Sequence, residues 1–204
     1  MEGVKLKNIN LETSDGKSLK DVNMLFSKGG VYGIVGDNFS GRREILNIIC
    51  GLCGEFVGEA VVLGYDVKVY NGIIDDIGMS LGIEGFIGNY TALKNLTSIS
   101  AIRGIIGRDT ICDALCLVGL EEYIDEKVNQ YDFSMKKRLS IAQSIMEKPR
   151  LIVIDEPFQY LDKEERDGIM KLLKSINELR KTTIILGARH DNNLIDICKE
   201  LYYL

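Results

Sequence analysis

The sequence predicts an α/β fold on three observations: an apolar strand that runs through a glycine-bounded loop into a helix, a helical block set between strands, and a later strand–helix–strand unit. The opening residues read as strands. VKLKNINL at 4–11 and DVNMLF at 21–26 place apolar side chains at alternate positions, with a DGKS turn between them, so they form a hairpin-like pair. GVYGIVG at 30–36 is a short buried strand, and the helix EILNIICGL after it puts Ile45, Ile48, Ile49 and Leu52 on one face. EAVVLG and DIGMSL, between about 57 and 81, are further strands broken by glycines. TALKNLTSISAIRG, DTICDALCLVGL and SMKKRLSIAQSIMEK then form a helical subdomain over about 86–146. LIVIDEP at 151–157 returns to strand. KEERDGIMKLLKSINELRK at 163–181 is an amphipathic helix with Ile169, Leu172, Leu173, Ile176 and Leu179 on one side, and TTIIL at 182–186 is the strand after it. That order implies a right-handed parallel crossover.

A length of 204 residues, 46% hydrophobic and 27% charged, fits one globular domain over 1–204 and excludes disorder, collagen and a disulfide scaffold. The net charge of −5 leaves no bulk basic footprint, so nucleic acid is not an expected partner. MEGVKLKNINLETSDG has no basic-then-apolar run, and the longest apolar stretches, such as LIVI at 151–154, fall far short of the roughly 20 residues of a membrane span. The expected location is the cytoplasm. Five cysteines suit a reducing compartment. Cys50 and Cys53 form a CxxC and Cys112 and Cys116 lie one helical turn apart, but without matching histidines all are read as core residues and not as a zinc site. Lys136, Lys137 and Arg138, like EEYIDEK at 121–127, are read as a solvated face, and Met135 and Met146 as core filler.

Two stretches carry chemistry. A phosphate loop is a strand, then a glycine, four residues and Gly-Lys-Ser/Thr, then a helix: backbone N–H groups wrap the phosphates, lysine neutralises charge and the hydroxyl holds Mg²⁺. Residues 36–43 read Gly36, Asp37, Asn38, Phe39, Ser40, Gly41, Arg42, Arg43 in that setting. The glycines are correctly spaced, but Arg42 stands where lysine belongs, and Arg43, where the hydroxyl belongs, cannot ligate a cation. LIVIDEP is an apolar strand ending in two acids, of which the first, Asp155, would hold Mg²⁺ and the second, Glu156, would polarise the attacking water. The alternative is a buried strand whose Asp155 only caps the following loop.

With these motifs the chain resembles the nucleotide-binding domain of ABC transporters over nearly its whole length. The matching segments run in the family's order: 33–52, 76–96, 131–157, YLD at 160–162 and TTIILGARHD at 182–191. GIEGFIGNYTALKNL at 82–96 is most similar to exporters of bacitracin-like and lantibiotic peptides. The resemblance implies a P-loop NTPase fold with a mixed β-sheet core, an antiparallel β lobe and an inserted helical lobe. It also implies ATP and Mg²⁺ as cofactors, with each ATP held between the phosphate loop of one subunit and the signature helix of another, in a homodimer or heterodimer. The expected partner is an integral membrane permease docking near 82–90, which places the chain at the inner face of the membrane. A P-loop kinase or GTPase fits worse, because the match includes the helical lobe and YLD.

Each nucleotide-facing motif departs from the family's pattern. The signature LSGGQ falls on YDFSM, so Asp132 replaces the serine, Phe133 and Ser134 replace the glycines, and Met135 follows. A carboxylate at that helix N-terminus satisfies the N–H groups that would bind phosphate and repels the anion. The metal-sensing glutamine aligns with Gly82 and the switch histidine with Arg189, with His190 one position later. No aromatic lies near Thr13 and Ser14 to stack on adenine. Asp155, Glu156 and the D-loop residue Asp162 survive. Weak or lost hydrolysis is expected, with Arg42 or Arg43 folded back onto Asp155 as an ion pair in the metal position.

Overall fold

A computed structural model of the protein describes residues 2–12, 16, 18–52, 55–70, 74–190, 192 and 194–204. Parallel and antiparallel pairing fall into two separate sheets. The first is antiparallel, in the order β2-β1-β4-β5, from β1 (Glu2–Glu12), β2 (Ser18–Ser27), β4 (Val57–Val62) and β5 (Tyr65–Asp66). The second is parallel, in the order β6-β7-β8-β3-β9, from β3 (Val31–Val35), β6 (Ile77–Ser80), β7 (Leu151–Asp155), β8 (Thr183–Ala188) and β9 (Glu200–Tyr203).

The parallel sheet lies at the centre, and its strands are buried on both faces, which is why they read as continuous apolar runs. In β7, Leu151 and Val153 point to one side, where they join α1 (Arg42–Ile49) and the inner face of the antiparallel sheet. Ile152 and Ile154 point to the other, into a core shared with α2 (Ala92–Ser100), α3 (Arg108–Leu117), α4 (Phe133–Ile145) and α5 (Lys163–Arg180). The period-2 geometry of a strand thus assigns one residue set to each core. β1 changes phase midway: Val4 and Leu6, then Ile9 and Leu11, face inward, because Asn8 at φ 50° shifts the register.

The helices follow the predicted order with two corrections. α1 ends at Ile49, so Leu52 leaves the buried face and is 47% exposed, while Ile45, Ile48 and Ile49 are buried. On α5, Ile169, Leu173 and Ile176 form the buried stripe, Leu172 is half-buried, and Leu179 in the last turn is 81% exposed. A third element, β9, has no expectation behind it: it is four residues long, and it is secured by pairing with β3 and by Tyr202, whose hydroxyl donates to the Leu25 carbonyl at 2.9 Å. Among the described residues, no helix is long and apolar enough to cross a membrane.

Candidate nucleotide site

β3 ends at Val35, and the N–H of Gly36 after it donates to the Ala188 carbonyl of β8 at 3.0 Å, so the loop starts beside the end of β8. The loop closes on itself, with the Ser40 N–H and hydroxyl both donating to the Asp37 carbonyl at 3.1 and 2.9 Å. Gly41 then turns the chain into α1 at φ 83°, where a Cβ would also strike Leu19 at 2.2 Å, so only glycine fits. Arg42, the first residue of α1, is only 5% exposed. Its guanidinium lies back across the loop: Nη1 donates to the Gly36 carbonyl at 2.5 Å, Nε lies 3.0 Å from Asp155 Oδ1, and Nη2 lies 3.0 Å from Glu156 Oε1. The Nε–Oδ1 approach is charge contact without hydrogen-bond alignment, since neither atom has an aligned partner. The expected ion pair is therefore made by Arg42. Arg43 is exposed and donates from Nη2 to the Leu81 carbonyl at 2.9 Å.

The two acids are placed by the end of β7. Asp155 packs against the bare backbone of Gly187 on β8, where a Cβ would sit 2.6 Å from its Oδ1 and 3.3 Å from Arg42 Cδ. Glu156 turns off the strand at φ 50°, with its N–H donating to the Gly187 carbonyl at 2.8 Å. Its Oε1 accepts from the Arg189 N–H at 3.0 Å and from Arg189 Nε at 3.2 Å, besides contacting Arg42. That oxygen is saturated by protein donors. His190 is exposed and, among the described residues, makes no hydrogen bond or ion pair; it borders a small cavity whose lining also includes Glu156, Pro157, Phe158 and Arg189. Arg189 and not His190 is thus the residue bonded to Glu156. Gly82 leaves a gap in which a Cβ would meet only Arg43 Nη2 at 3.7 Å and Glu84 N at 3.9 Å. Arg42, Arg43, Glu84, Asp155, Glu156 and Arg189 border a cavity of about 260 Å³.

Lys137 also reaches this site. It is buried on α4, and its Nζ donates to the Asp155 carbonyl at 2.6 Å. Burial pushes the ammonium down to about 8, an effect that neighbouring Asp155 and Glu156 oppose. The reading of 136–138 as a solvated face is corrected: Lys137 is buried, Lys136 is half-covered, and Arg138 bonds the Gly119 carbonyl and Glu165. Its spacing held the signal, since Lys137, Ser140, Ile141 and Ser144 form one buried i, i+3, i+4, i+7 stripe.

At the start of α4, Asp132 is the N-cap and its Oδ1 accepts from the Met135 N–H at 2.7 Å. Phe133 is exposed and stacks on Tyr160, with ring centroids 5.1 Å apart. Ser134 donates to Glu165 Oε1 at 2.8 Å, and Met135 packs half-buried against the helical core. Asp162 caps α5 in a reciprocal box with Glu165. Glu165 therefore joins the first turns of two helices, a role the D-x-x-E spacing at 162–165 foreshadows only as a cap.

A model of the family described as ABC transporter matches residues 19–159 of the chain. The chain belongs to the ABC transporter family. It is 30% identical over 180 residues to the uncharacterized ABC transporter ATP-binding protein YybJ of Bacillus subtilis, covering 88% of this chain and 82% of that protein. It is also 30% identical over 173 residues to the bacitracin transport ATP-binding protein BcrA of Bacillus licheniformis, covering 84% of this chain but 56% of BcrA, so it spans little more than half of that relative. The solved dimeric structure of MJ0796, a bacterial ABC transporter cassette, superposes with a TM-score of 0.85 at 26% identity over 98% of this chain and 94% of that one. A post-hydrolysis dimer of the same cassette, bound to ADP and Pi, gives 0.87 at 27% identity, again over 98% and 94%.

For an ABC transporter chain, the residues at this site do not fit a magnesium nucleotide. The carboxylate that would receive Mg²⁺ is covered by Arg42, and position 43 offers a cation in place of a hydroxyl. Thr13 and Ser14 lie outside the described residues, as does Cys53. Cys50 is buried, Cys112 is half-buried and Cys116 is exposed, which corrects the core reading for Cys116; among the described residues no cluster could hold a metal.

Proposed function

We propose that this chain is the cassette subunit of an ABC transporter of exporter type, working on the inner face of a membrane with an integral permease and a second cassette, and that its ATP hydrolysis is weak or lost. The likeness to bacitracin transport ATP-binding proteins supports the exporter class. The observation that carries the loss is Arg42, which contacts both Asp155 and Glu156 and occupies the space between loop and acids. With Asp155 facing a guanidinium and Glu156 Oε1 taken by Arg42 and Arg189, the electrostatic positioning on which phosphoryl transfer depends is weakened. The segment at 82–90, where the permease would dock, is held in shape by Asn95, whose Oδ1 accepts from the Ile87 N–H at 2.8 Å and whose Nδ2 donates to the Ile87 carbonyl at 3.1 Å.

Calorimetry of ATP binding with and without Mg²⁺, together with turnover of radiolabelled ATP, tests this reading. The expected result is weak or absent turnover with or without Mg²⁺, and no heat at all on adding ATP would favour a nucleotide-free scaffold. Micromolar Mg²⁺-dependent binding with turnover abolished by Glu156→Gln would overturn it. The buried guanidinium also supports a second reading, a scaffold that never takes nucleotide; ATP binding without hydrolysis would separate the subunit from the scaffold.

A further inference from the structure

Two cavities meet at the end of the parallel sheet opposite the nucleotide site, where β7 and β8 begin and α4 and α5 end. The larger, of about 460 Å³, is a groove walled by α3, the end of α4 and α5: Ala114, Ile145, Met146 and Ile176 are buried at its floor, and Leu117, 54% exposed, stands open to it. The smaller, of about 230 Å³, is lined by Lys28, Lys148, Arg150, Arg180 and Lys181, a concentration of positive charge in a chain whose net charge is −5. Lys148 and Arg180 line both cavities. Cations suit helix C-termini, but here they outnumber what the helices need. Each helix end presents roughly half a negative charge, so α4 and α5 together offset about one cation. Arg150 is paired with Asp76 at 2.8 Å. Lys28, Lys148, Arg180 and Lys181 are exposed and, among the described residues, their side chains make no hydrogen bond or ion pair. About three positive charges are thus left unmatched beside an aliphatic groove.

We propose that this seam binds a single-chain anionic amphiphile, an alkyl phosphate, with its tail along Ala114, Leu117 and Ile176 and its head held by Lys148 and Arg180, while Lys28 and Lys181 add charge from the second cavity. Apolar walls with polar groups gathered at one place select a ligand divided in the same way. Asp113, the one carboxylate among the described residues lining the groove, lies on α3, which does not reach the smaller cavity, so the head is turned toward Lys148 and Arg180 and the tail toward α3. A phosphate, at about −1.5 to −2, matches the surplus of positive charge better than a carboxylate does. Bound there, the amphiphile joins α3 of the helical subdomain to α5, away from Arg42 and the two acids, so its binding does not depend on the state of the nucleotide site.

Calorimetric titration of the full chain with monomeric dodecyl phosphate tests it. Saturable binding with a Kd below about 100 µM is expected. Affinity should fall at least about twofold for each methylene removed from the tail. Inorganic phosphate and dodecyl maltoside, which carry the anionic head or the tail alone, should not saturate at the same concentrations. Lys148→Glu and Arg180→Glu should each weaken binding about tenfold or more, whereas Lys7→Glu on the antiparallel sheet, the same change in net charge, should leave it unaltered, with circular dichroism confirming that each variant is folded. Cys116, exposed beside the groove, serves as a reporter: bound dodecyl phosphate should slow its alkylation by iodoacetamide several-fold, read at that peptide by mass spectrometry. No saturation by dodecyl phosphate, undiminished binding by both charge-reversal variants, inorganic phosphate bound as tightly as the ester, or unchanged alkylation of Cys116 overturns the proposal. So does binding to phosphatidylglycerol vesicles alone, which would make the patch a membrane contact.

Discussion

Arg42 joins three acceptors drawn from two segments of the chain: the Gly36 carbonyl, Asp155 and Glu156. Truncating it leaves two adjacent carboxylates in a buried setting, so Arg42→Met is expected to cost about 3–5 kcal/mol of stability in urea unfolding. A loss below about 1 kcal/mol would show the contacts to be incidental, as exposed pairs are. Lys137 gives a pH signature. The unfolded chain keeps this proton up to its ordinary 10.5, while the folded chain releases it near 8. The folded state therefore gains on the unfolded one as pH rises from about 8 to 10.5, and Lys137→Met should abolish that gain. The comparison is read as the wild-type-minus-variant difference in unfolding free energy, because Cys50, Cys198 and Tyr131, all pushed up to about 12 chiefly by burial, titrate in both proteins and cancel.

The ties between elements run mainly through α4. Ser134 and Arg138 on its first turns meet Glu165 on α5, Lys137 meets the end of β7, and Ser140 donates to the Gly82 carbonyl at 2.7 Å. Removing Glu165 releases both helix starts at once: Glu165→Ala should speed amide exchange at residues 133–138 and 163–166 while β7 stays protected, and should cost about 1 kcal/mol or more through the lost cap. Glu165→Gln, which still forms the box, should restore α5 but not the Arg138 contact. Much of this layer was legible. Apolar runs and alternation located the strands β1 to β4 and β6 to β8, but the phase slip in β1, from Val4 and Leu6 to Ile9 and Leu11, was read as plain alternation. Leu179 and Leu52 misled because periodicity says which residues share a face but not where the neighbouring layer ends. Lys137 misled because residue type was weighed over spacing, and burial of a cation is settled by the acceptor it finds in another element.

Over the whole molecule, the order of segments was enough to assign the family, whereas the state of the site depends on contacts between residues distant in sequence, those of Arg42 with Asp155 and Glu156 above all. The sequence named Arg42 or Arg43 as the partner of Asp155; only the three-dimensional arrangement separates the inward guanidinium from the outward one, and places Arg189 rather than His190 on Glu156. The bare Gly187 that makes room for this cluster has no local signal at all, since its crowding comes from Asp155, Leu46 and Arg42 together. This shared dependence makes position 42 intolerant of a like-charged exchange. Arg42→Lys would replace a fork that spans two acids with a single ammonium and leave position 43 without a hydroxyl, so it is expected to lower the free energy of unfolding without creating a magnesium site.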